Sequence, residues 1–296
     1  MFSSIISLYL AGLMVSQPDT AKAAERQDQQ TVEQYSEVLS VSTIPKKIQE
    51  GNPEIKANAA IVMDMRTGEI LWGKNIDEKR QIGSITKLMT ALVVLEENGQ
   101  NEIAKITQNA SAMGGSKIWI NAGEKLTVQD LIFAALIHSA NDAAFALAEF
   151  NAQGTIKNFV DKMNKKAQIL GLINTHFSNP VGFDGPENYS TVRDLSNLGR
   201  YAYRNAFIRY VVSLSGKEIQ SIRGTKYHLE ATNVLLKKDP RFRGLKTGHT
   251  DDAGYSFVGV AEAKNLYPVL IVVLNSPNRF QESIDLLNWV EQHYNW

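Results

Sequence analysis

What most constrains this chain is that its β-patterned segments sit at opposite ends of the sequence. "AAIVMDM" (59–65) and "ILWGK" (70–74) read as strands joined by "RTGE" (66–69), where Gly68 supplies the turn chemistry. Strongly β-rich stretches return only after about residue 205, as "FRGLKTGH" (242–249), "GYSFVGVAEA" (254–263) and "YPVLIVVLN" (267–275). The short turns between them predict antiparallel pairing. Everything between the two β regions carries helical patterns. The simplest architecture that satisfies both ends is α+β. An antiparallel sheet is formed by the N- and C-terminal strands and flanked by helices, with an inserted, mostly helical lobe at about 98–205. A cleft between sheet and lobe is the expected place for a site.

Local signals agree with that outline. Ser84–Glu97 is apolar on one face and stops before Asn98-Gly99. "TVQD" (127–130) and "TVRD" (191–194) are capping boxes that open helices. Asn141–Phe150 and Thr155–Leu170 also read as helical, and "QESIDLLNWVEQHYNW" (281–296) predicts an amphipathic helix closing the chain.

The first 55 residues read differently. "FSSIISLYLAGLMV" (2–15) is a short apolar run, and Ala21-Lys22-Ala23 offers an A-x-A-like cleavage site. Residues 1–23 therefore read as a signal peptide or N-terminal membrane segment. No Lys or Arg precedes the run, and a buried N-terminal helix is the alternative. The expected location is exported, in a periplasmic or extracytoplasmic cell-wall space. The chain is there either freed by cleavage or tethered by this segment. Residues 24–55 are polar, contain Pro45 and Pro53, and show no sustained apolar period, which predicts a flexible linker ahead of a folded domain over 56–296.

Composition excludes several chemistries. There is no cysteine, so disulfides, thiolate metal sites and a cysteine nucleophile are ruled out together. Lys+Arg and Asp+Glu are 31 each, and no basic stripe offers a nucleic-acid footprint. No His-Glu-x-x-His or similar ligand cluster points to a metal, and no cofactor is expected.

Three short patterns could carry chemistry. Ser84 and Lys87 in "GSITKLMTAL" lie three apart, on one helix face. A serine at a helix N-terminus meets free N–H groups, and a desolvated lysine near another cation loses its proton and can act as a base. A capping serine followed by a solvated lysine is the plainer reading of the pair by itself. Ser139 and Asn141 in "HSAND" could relay a proton and grip a substrate amide, or merely cap a helix. A second S-x-N, Ser276-Pro277-Asn278, shows how weak that pattern is alone. In "LKTGHT" (245–250), Lys246 and Gly248 would face one side of a strand and Thr247 the other. Gly248 would allow another backbone to approach closely, and the strand edge could pair with an extended peptide.

S-x-x-K, S-x-N and K-T-G in this order are the motif set of penicillin-binding proteins and class A β-lactamases. The chain resembles the low-molecular-mass penicillin-binding proteins, the serine-type D-alanyl-D-alanine carboxypeptidases. The likeness extends through "IVMDMRTGEILWGKN", "INAGEKLTVQDLIFAALIHSANDAAFALAE", "FSNPVGFDGPENYSTVRDLSNLGR" and "GLKTGHTDDAGYSFVGVAE", over about residues 57–294. The resemblance implies Ser84 as the acylated nucleophile and Lys87 as its general base. It implies Ser139 and Asn141 as the pair that relays protons and holds the substrate amide, and Lys246 and Thr247 as the electrostatic and carboxylate-binding residues. Backbone N–H groups of Ser84 and His249 would form the oxyanion hole, and Arg279 in "NRFQES" would help bind the substrate's terminal carboxylate. The implied substrate is a peptidoglycan stem peptide that loses its last D-alanine, and β-lactams are the implied covalent inhibitors.

Many relatives carry a further C-terminal β domain and an anchoring helix, whereas the sequence here ends at Trp296, so no C-terminal membrane anchor is expected. The shorter form also resembles D,D-endopeptidases that cut cross-links, although "GHTDDAGYS" leans toward carboxypeptidase. A β-lactamase is disfavoured because no Glu-x-x-Leu-Asn segment occurs and Ala140 stands where class A enzymes place Asp. A non-enzymatic β-lactam or peptidoglycan sensor is disfavoured by the lack of a cytoplasmic signalling segment.

Overall fold

A computed structural model describes residues 45–296. The apolar run, its cleavage site and most of the stretch read as a linker lie outside the described residues. Five strands form the central antiparallel sheet: β1 (Ala59–Asp64), β2 (Ile70–Lys74), β3 (Phe242–Gly248), β4 (Ser256–Ala263) and β5 (Tyr267–Leu274). Their order is β3-β4-β5-β1-β2. The expected joining of both ends of the sequence occurs at the β5–β1 contact, where Ile271 faces Val62 and Val272 faces Ile61.

Strand alternation explains why this sheet has two cores. Ile61, Val258, Leu270 and Val272 point into a large core shared with the helices of the middle of the chain. Their neighbours Val62, Phe257, Val269, Ile271 and Val273 point the other way, against Leu286, Leu287, Trp289 and Val290. Those four belong to the last helix, Arg279–His293, two residues earlier at its start than the pattern predicts. It stops at His293, after which Tyr294–Asn295 pair with Lys46–Lys47, inside the stretch read as a linker. Asp64 ties this end to the hairpin turn: Oδ1 accepts from the Arg66 and Thr67 N–H groups at 2.7 and 2.8 Å, and Oδ2 accepts from Trp296 Nε1 at 3.0 Å.

Four helices of the middle matter for the site: α1 (Lys87–Glu97), α2 (Asn141–Ala152), α3 (Ile156–Ile169) and α4 (Val192–Arg204); the C-terminal helix is α5. Thr127 and Thr191 cap as their sequences predict, each accepting from the N–H three residues on, that of Asp130 and Asp194. Helix α4 lies on the sheet itself. A Cβ on Gly199 would stand 2.9 Å from Leu270 Cδ1 and 3.0 Å from Val258 Cγ1, so any larger residue would have to displace these side chains. A hairpin of Gly216–Gln220 with Lys226–Glu230, not anticipated from the sequence, leads into β3.

Candidate active site

Ser84 does not cap a helix. Gly83–Thr86 form a 3-10 turn with no side-chain cap, and α1 begins only at Lys87. Tightening the first turn still leaves serine and lysine adjacent: Lys87 Nζ donates to Ser84 Oγ at 2.7 Å and to the Val181 carbonyl at 2.7 Å. Lys87 has 0% exposure, so the solvated-lysine alternative is excluded. Burial pushes its pKa well below the ordinary lysine value, the charge of Lys246 pushes further the same way, and Asp142 opposes both.

Ser139 and Asn141 are placed by an irregular stretch. Ala134–His138 form a π-helical turn, Ser139 adopts a left-handed conformation with φ of 64°, and α2 starts at Asn141. The hydroxyl of Ser139 accepts from Lys246 Nζ at 2.8 Å, which brings the second and third motifs together. Asn141 Nδ2 donates to the Gly114 carbonyl at 2.7 Å. Its Oδ1 is buried with no partner among the described residues, an acceptor suited to an incoming amide N–H.

Strand β3 delivers the rest. Lys246 is 1% exposed, and burial, followed by the charge of Arg279, brings its pKa down to about 7. Thr247 is buried as well, and its hydroxyl lies 2.7 Å from that of Thr232. Gly248 packs against the nucleophile turn, since a Cβ there would stand 2.5 Å from the Ile82 carbonyl oxygen. A Cβ on Gly83 would come within 3.1 Å of His249 N, so the backbones carrying the Ser84 and His249 N–H groups are neighbours. Arg279, the first residue of α5, donates from Nη1 to the Gly248 carbonyl at 2.8 Å, and burial lowers its pKa. The His249 ring stacks on Tyr255 at 4.2 Å. The second S-x-N has a separate, structural role: Asn278 caps α5 by accepting from the Gln281 N–H, and Ser276 donates to the Glu282 carboxylate.

Three contributors carried no sequence signal that singled them out. Val181 offers only a backbone carbonyl. Asn179 Oδ1 holds that carbonyl's loop by accepting from the N–H groups of Val181, Gly182 and Phe183 at 3.2, 2.7 and 3.0 Å. Asp142 is fully buried and accepts from the N–H groups of Ile118 and Ile120 at 3.3 and 3.1 Å. An asparagine before a proline in "FSNPVGF" is a visible turn signal, but nothing in it identifies the lysine it serves. Among the described residues no group of three or more His, Asp or Glu side chains is placed to hold a metal ion, and no helix is long and apolar enough to cross a membrane.

A neutralisable buried lysine on a serine hydroxyl, with a second serine, an amide and a second lysine beside it, on this sheet and helix arrangement, defines the active-site-serine proteins of the penicillin-binding type. Within that class the chain belongs to the D-alanyl-D-alanine carboxypeptidase family, whose profile matches residues 46–278. It is 34% identical over 249 residues to D-alanyl-D-alanine carboxypeptidase DacA of Haemophilus influenzae, covering 80% of this chain and 62% of that protein. It is 33% identical over 222 residues to D-alanyl-D-alanine carboxypeptidase DacF of Bacillus subtilis, covering 73% and 57%. The chain thus spans about three fifths of the length of these curated relatives. Among solved structures, a Streptomyces DD-transpeptidase superposes with a TM-score of 0.77 at 32% identity, covering 81% of this chain and 98% of that one. D-alanyl-D-alanine carboxypeptidase DacD of Francisella tularensis superposes with a TM-score of 0.77 at 30% identity, covering 86% and 74%.

Proposed function

We propose that the protein is a serine D,D-carboxypeptidase that removes the terminal D-alanine from peptidoglycan stem pentapeptides. One observation carries this reading: the buried Lys87 ammonium lies 2.7 Å from the Ser84 hydroxyl with its pKa driven down by burial and by Lys246. In its neutral form Lys87 accepts the proton of Ser84 across that same contact. Ser84 Oγ then attacks the carbonyl joining the last two D-alanines. The developing oxyanion is held by the N–H groups of Ser84 and His249. As the C–N bond breaks, Ser139, hydrogen-bonded to Lys246, gives its proton to the leaving amine and recovers the one that Lys87 took from Ser84, so Lys87 is neutral again when D-alanine departs. Water hydrolyses the acyl ester and regenerates Ser84, with Lys87 again taking the proton.

The remaining residues hold the substrate. Asn141 Oδ1 accepts from the donor's amide N–H. Lys246, Thr247 and Arg279 make the region around Gly248 attractive to a terminal carboxylate. A β-lactam presents a strained amide in place of the dipeptide and leaves an acyl-enzyme on Ser84. Such a substrate places the protein in the cell-wall space, which fits an exported chain.

Labelling with a fluorescent penicillin followed by peptide mass spectrometry tests the reading. One adduct, on Ser84, is expected. An adduct elsewhere, or none, sinks it. Digestion of purified muropeptides then fixes the reaction: free D-alanine from pentapeptides is expected, whereas cleavage of cross-linked muropeptides alone would make the protein an endopeptidase.

A further inference from the structure

Trp119 is an anomaly that neither the fold nor the chemistry above explains. Its side chain is 71% exposed, whereas Trp289 is buried and Trp72 and Trp296 are half-buried. Its backbone is left-handed, with φ of 65°, a conformation that is costly for a bulky residue and persists where surrounding contacts enforce it. Those contacts are present. Ile118 and Ile120 on either side are buried, and the carboxylate of Asp142 holds both of their N–H groups. Just upstream, Ser116 O accepts from the Asn141 N–H at 2.7 Å, and Gly114 O accepts from the Asn141 side chain. The tryptophan is therefore pushed outward by a loop anchored on the second active-site motif. A Cβ on Gly115 would lie 3.8 Å from Phe183, so the loop also abuts the segment that carries the Val181 carbonyl to Lys87.

We infer that Trp119 is a sugar-stacking residue that recognises the glycan end of the donor. This rests on the carboxypeptidase reading, in which the stem peptide hangs from a sugar. The ring has the chemistry for it: Lys117 Nζ lies 4.0 Å from its centroid on one face, so a pyranose has the other to stack on. The reach also fits. Trp119 lies three positions after Ser116, which places its backbone at most about 11 Å from the Asn141 contact. The four stem residues on the acyl side of the scissile bond span roughly 13 Å when extended, a distance that the loop together with the outward-facing indole can cover.

The test compares wild type, Trp119→Ala and Trp119→Phe on two donors. One is a diacetylated tripeptide ending in D-Ala-D-Ala without sugar; the other is a disaccharide pentapeptide. Trp119→Ala is expected to raise KM for the sugar-bearing donor about three- to tenfold, the range of one aromatic stack. Its kcat, and both constants for the sugar-free donor, should stay at wild-type values, which also shows that the variant is folded. Trp119→Phe should remain near wild type. An equal change on both donors, or none on the sugar-bearing one, overturns the inference. Failure of wild type to release D-alanine from either donor would instead overturn the carboxypeptidase reading. The sugar site then stands or falls on acrylamide quenching of Trp119 fluorescence, taken as the difference between wild type and Trp119→Phe. Protection by millimolar N-acetylglucosamine tetramer supports it, and absence of protection overturns it.

Discussion

Lys246 Nζ donates a 2.8 Å hydrogen bond to Ser139 Oγ, joining strand β3 to the turn ahead of α2 across 107 residues of sequence. This contact makes the two lysines one electrostatic unit. Arg279 lowers the pKa of Lys246, and Lys246 lowers that of Lys87. Asp142 is the carboxylate that opposes this at Lys87, and its oxygens are occupied by backbone N–H groups. A site built this way is short of negative charge and ready for an anionic substrate, at a cost in stability.

That cost is measurable. In the folded protein Lys246 has a pKa of about 7, against an ordinary value of 10.5. Between those values the unfolded chain binds more protons than the folded one, so the lysine's unfavourable contribution shrinks as pH rises. Below about pH 7 the penalty is fully present. Lys246→Met is therefore expected to raise Tm at pH 6, by on the order of 1–3 kcal/mol of added stability, while slowing penicillin acylation to a residual rate. The gain should fade toward pH 10. A Tm below wild type at pH 6, by scanning calorimetry, would contradict the electrostatic account.

The same coupling sets the pH profile of acylation. In the proposed mechanism, acylation is expected to rise as Lys87 loses its proton and to fall as Lys246 loses its own. Removing the Lys246 charge removes one cause that lowers Lys87, so the acid limb of residual Lys246→Met activity should move to higher pH. Arg279→Gln removes a cause that lowers Lys246, so its alkaline limb should also move up. Each shift is on the order of one pH unit. The second-order rate constant for fluorescent penicillin, measured from pH 5 to 10, reads both limbs, and a downward shift in either variant would be the wrong sign.

Gly182 tests how the nucleophile turn is seated. Its φ is 90°, and a Cβ there would stand 2.0 Å from the Gly83 carbonyl oxygen and 2.9 Å from Ser84 N. Gly182→Ala is expected to cost about 3 kcal/mol or more and to abolish labelling of Ser84. Gly185→Ala is the contrast, since its nearest neighbour is Ser178 Oγ at 4.0 Å and its cost should be under about 1 kcal/mol. Urea midpoints of the two variants that coincide would refute the close approach.

The sequence patterns located the sheet because β1 and β5 are rich in β-branched residues and all five strands are bounded by turns or loops, and they located the helices capped by Thr127 and Thr191 because a threonine and an aspartate three apart satisfy free N–H groups. They also named Ser84, Lys87, Ser139, Lys246 and Arg279, all of which the fold gathers. The π-helical turn before Ser139 was not legible: "AALIHS" has ordinary helical character, and no residue in it marks the wider turn. The hairpin Gly216–Gln220 with Lys226–Glu230 escaped because "GKEIQ" and "KYHLE" are mostly polar, with one or two buried side chains each. The fold's most important backbone group, the Val181 carbonyl, has no side-chain identity to read.

Asn179 is where that hidden group becomes testable. Its Oδ1 accepts three consecutive N–H groups, and its Nδ2 donates to the Phe183 carbonyl at 3.1 Å. The loop it folds aims Val181 O at Lys87 Nζ, so Asn179 is a positioning residue acting through Lys87. Asn179→Ala removes the acceptor and leaves the loop N–H groups to find other partners, for about 1–3 kcal/mol. Lys87 would then lose its fixed carbonyl and its alignment on Ser84, and acylation should fall about 10- to 100-fold, near the lower end of what a general base contributes. Asn179→Asp keeps the three-way acceptor and should recover most of the rate. A purely structural role predicts that rate and stability recover together and that the acid limb of the pH profile stays put. The positioning role predicts a displaced acid limb in Asn179→Ala, restored in Asn179→Asp, and an unmoved limb at reduced rate would refute it.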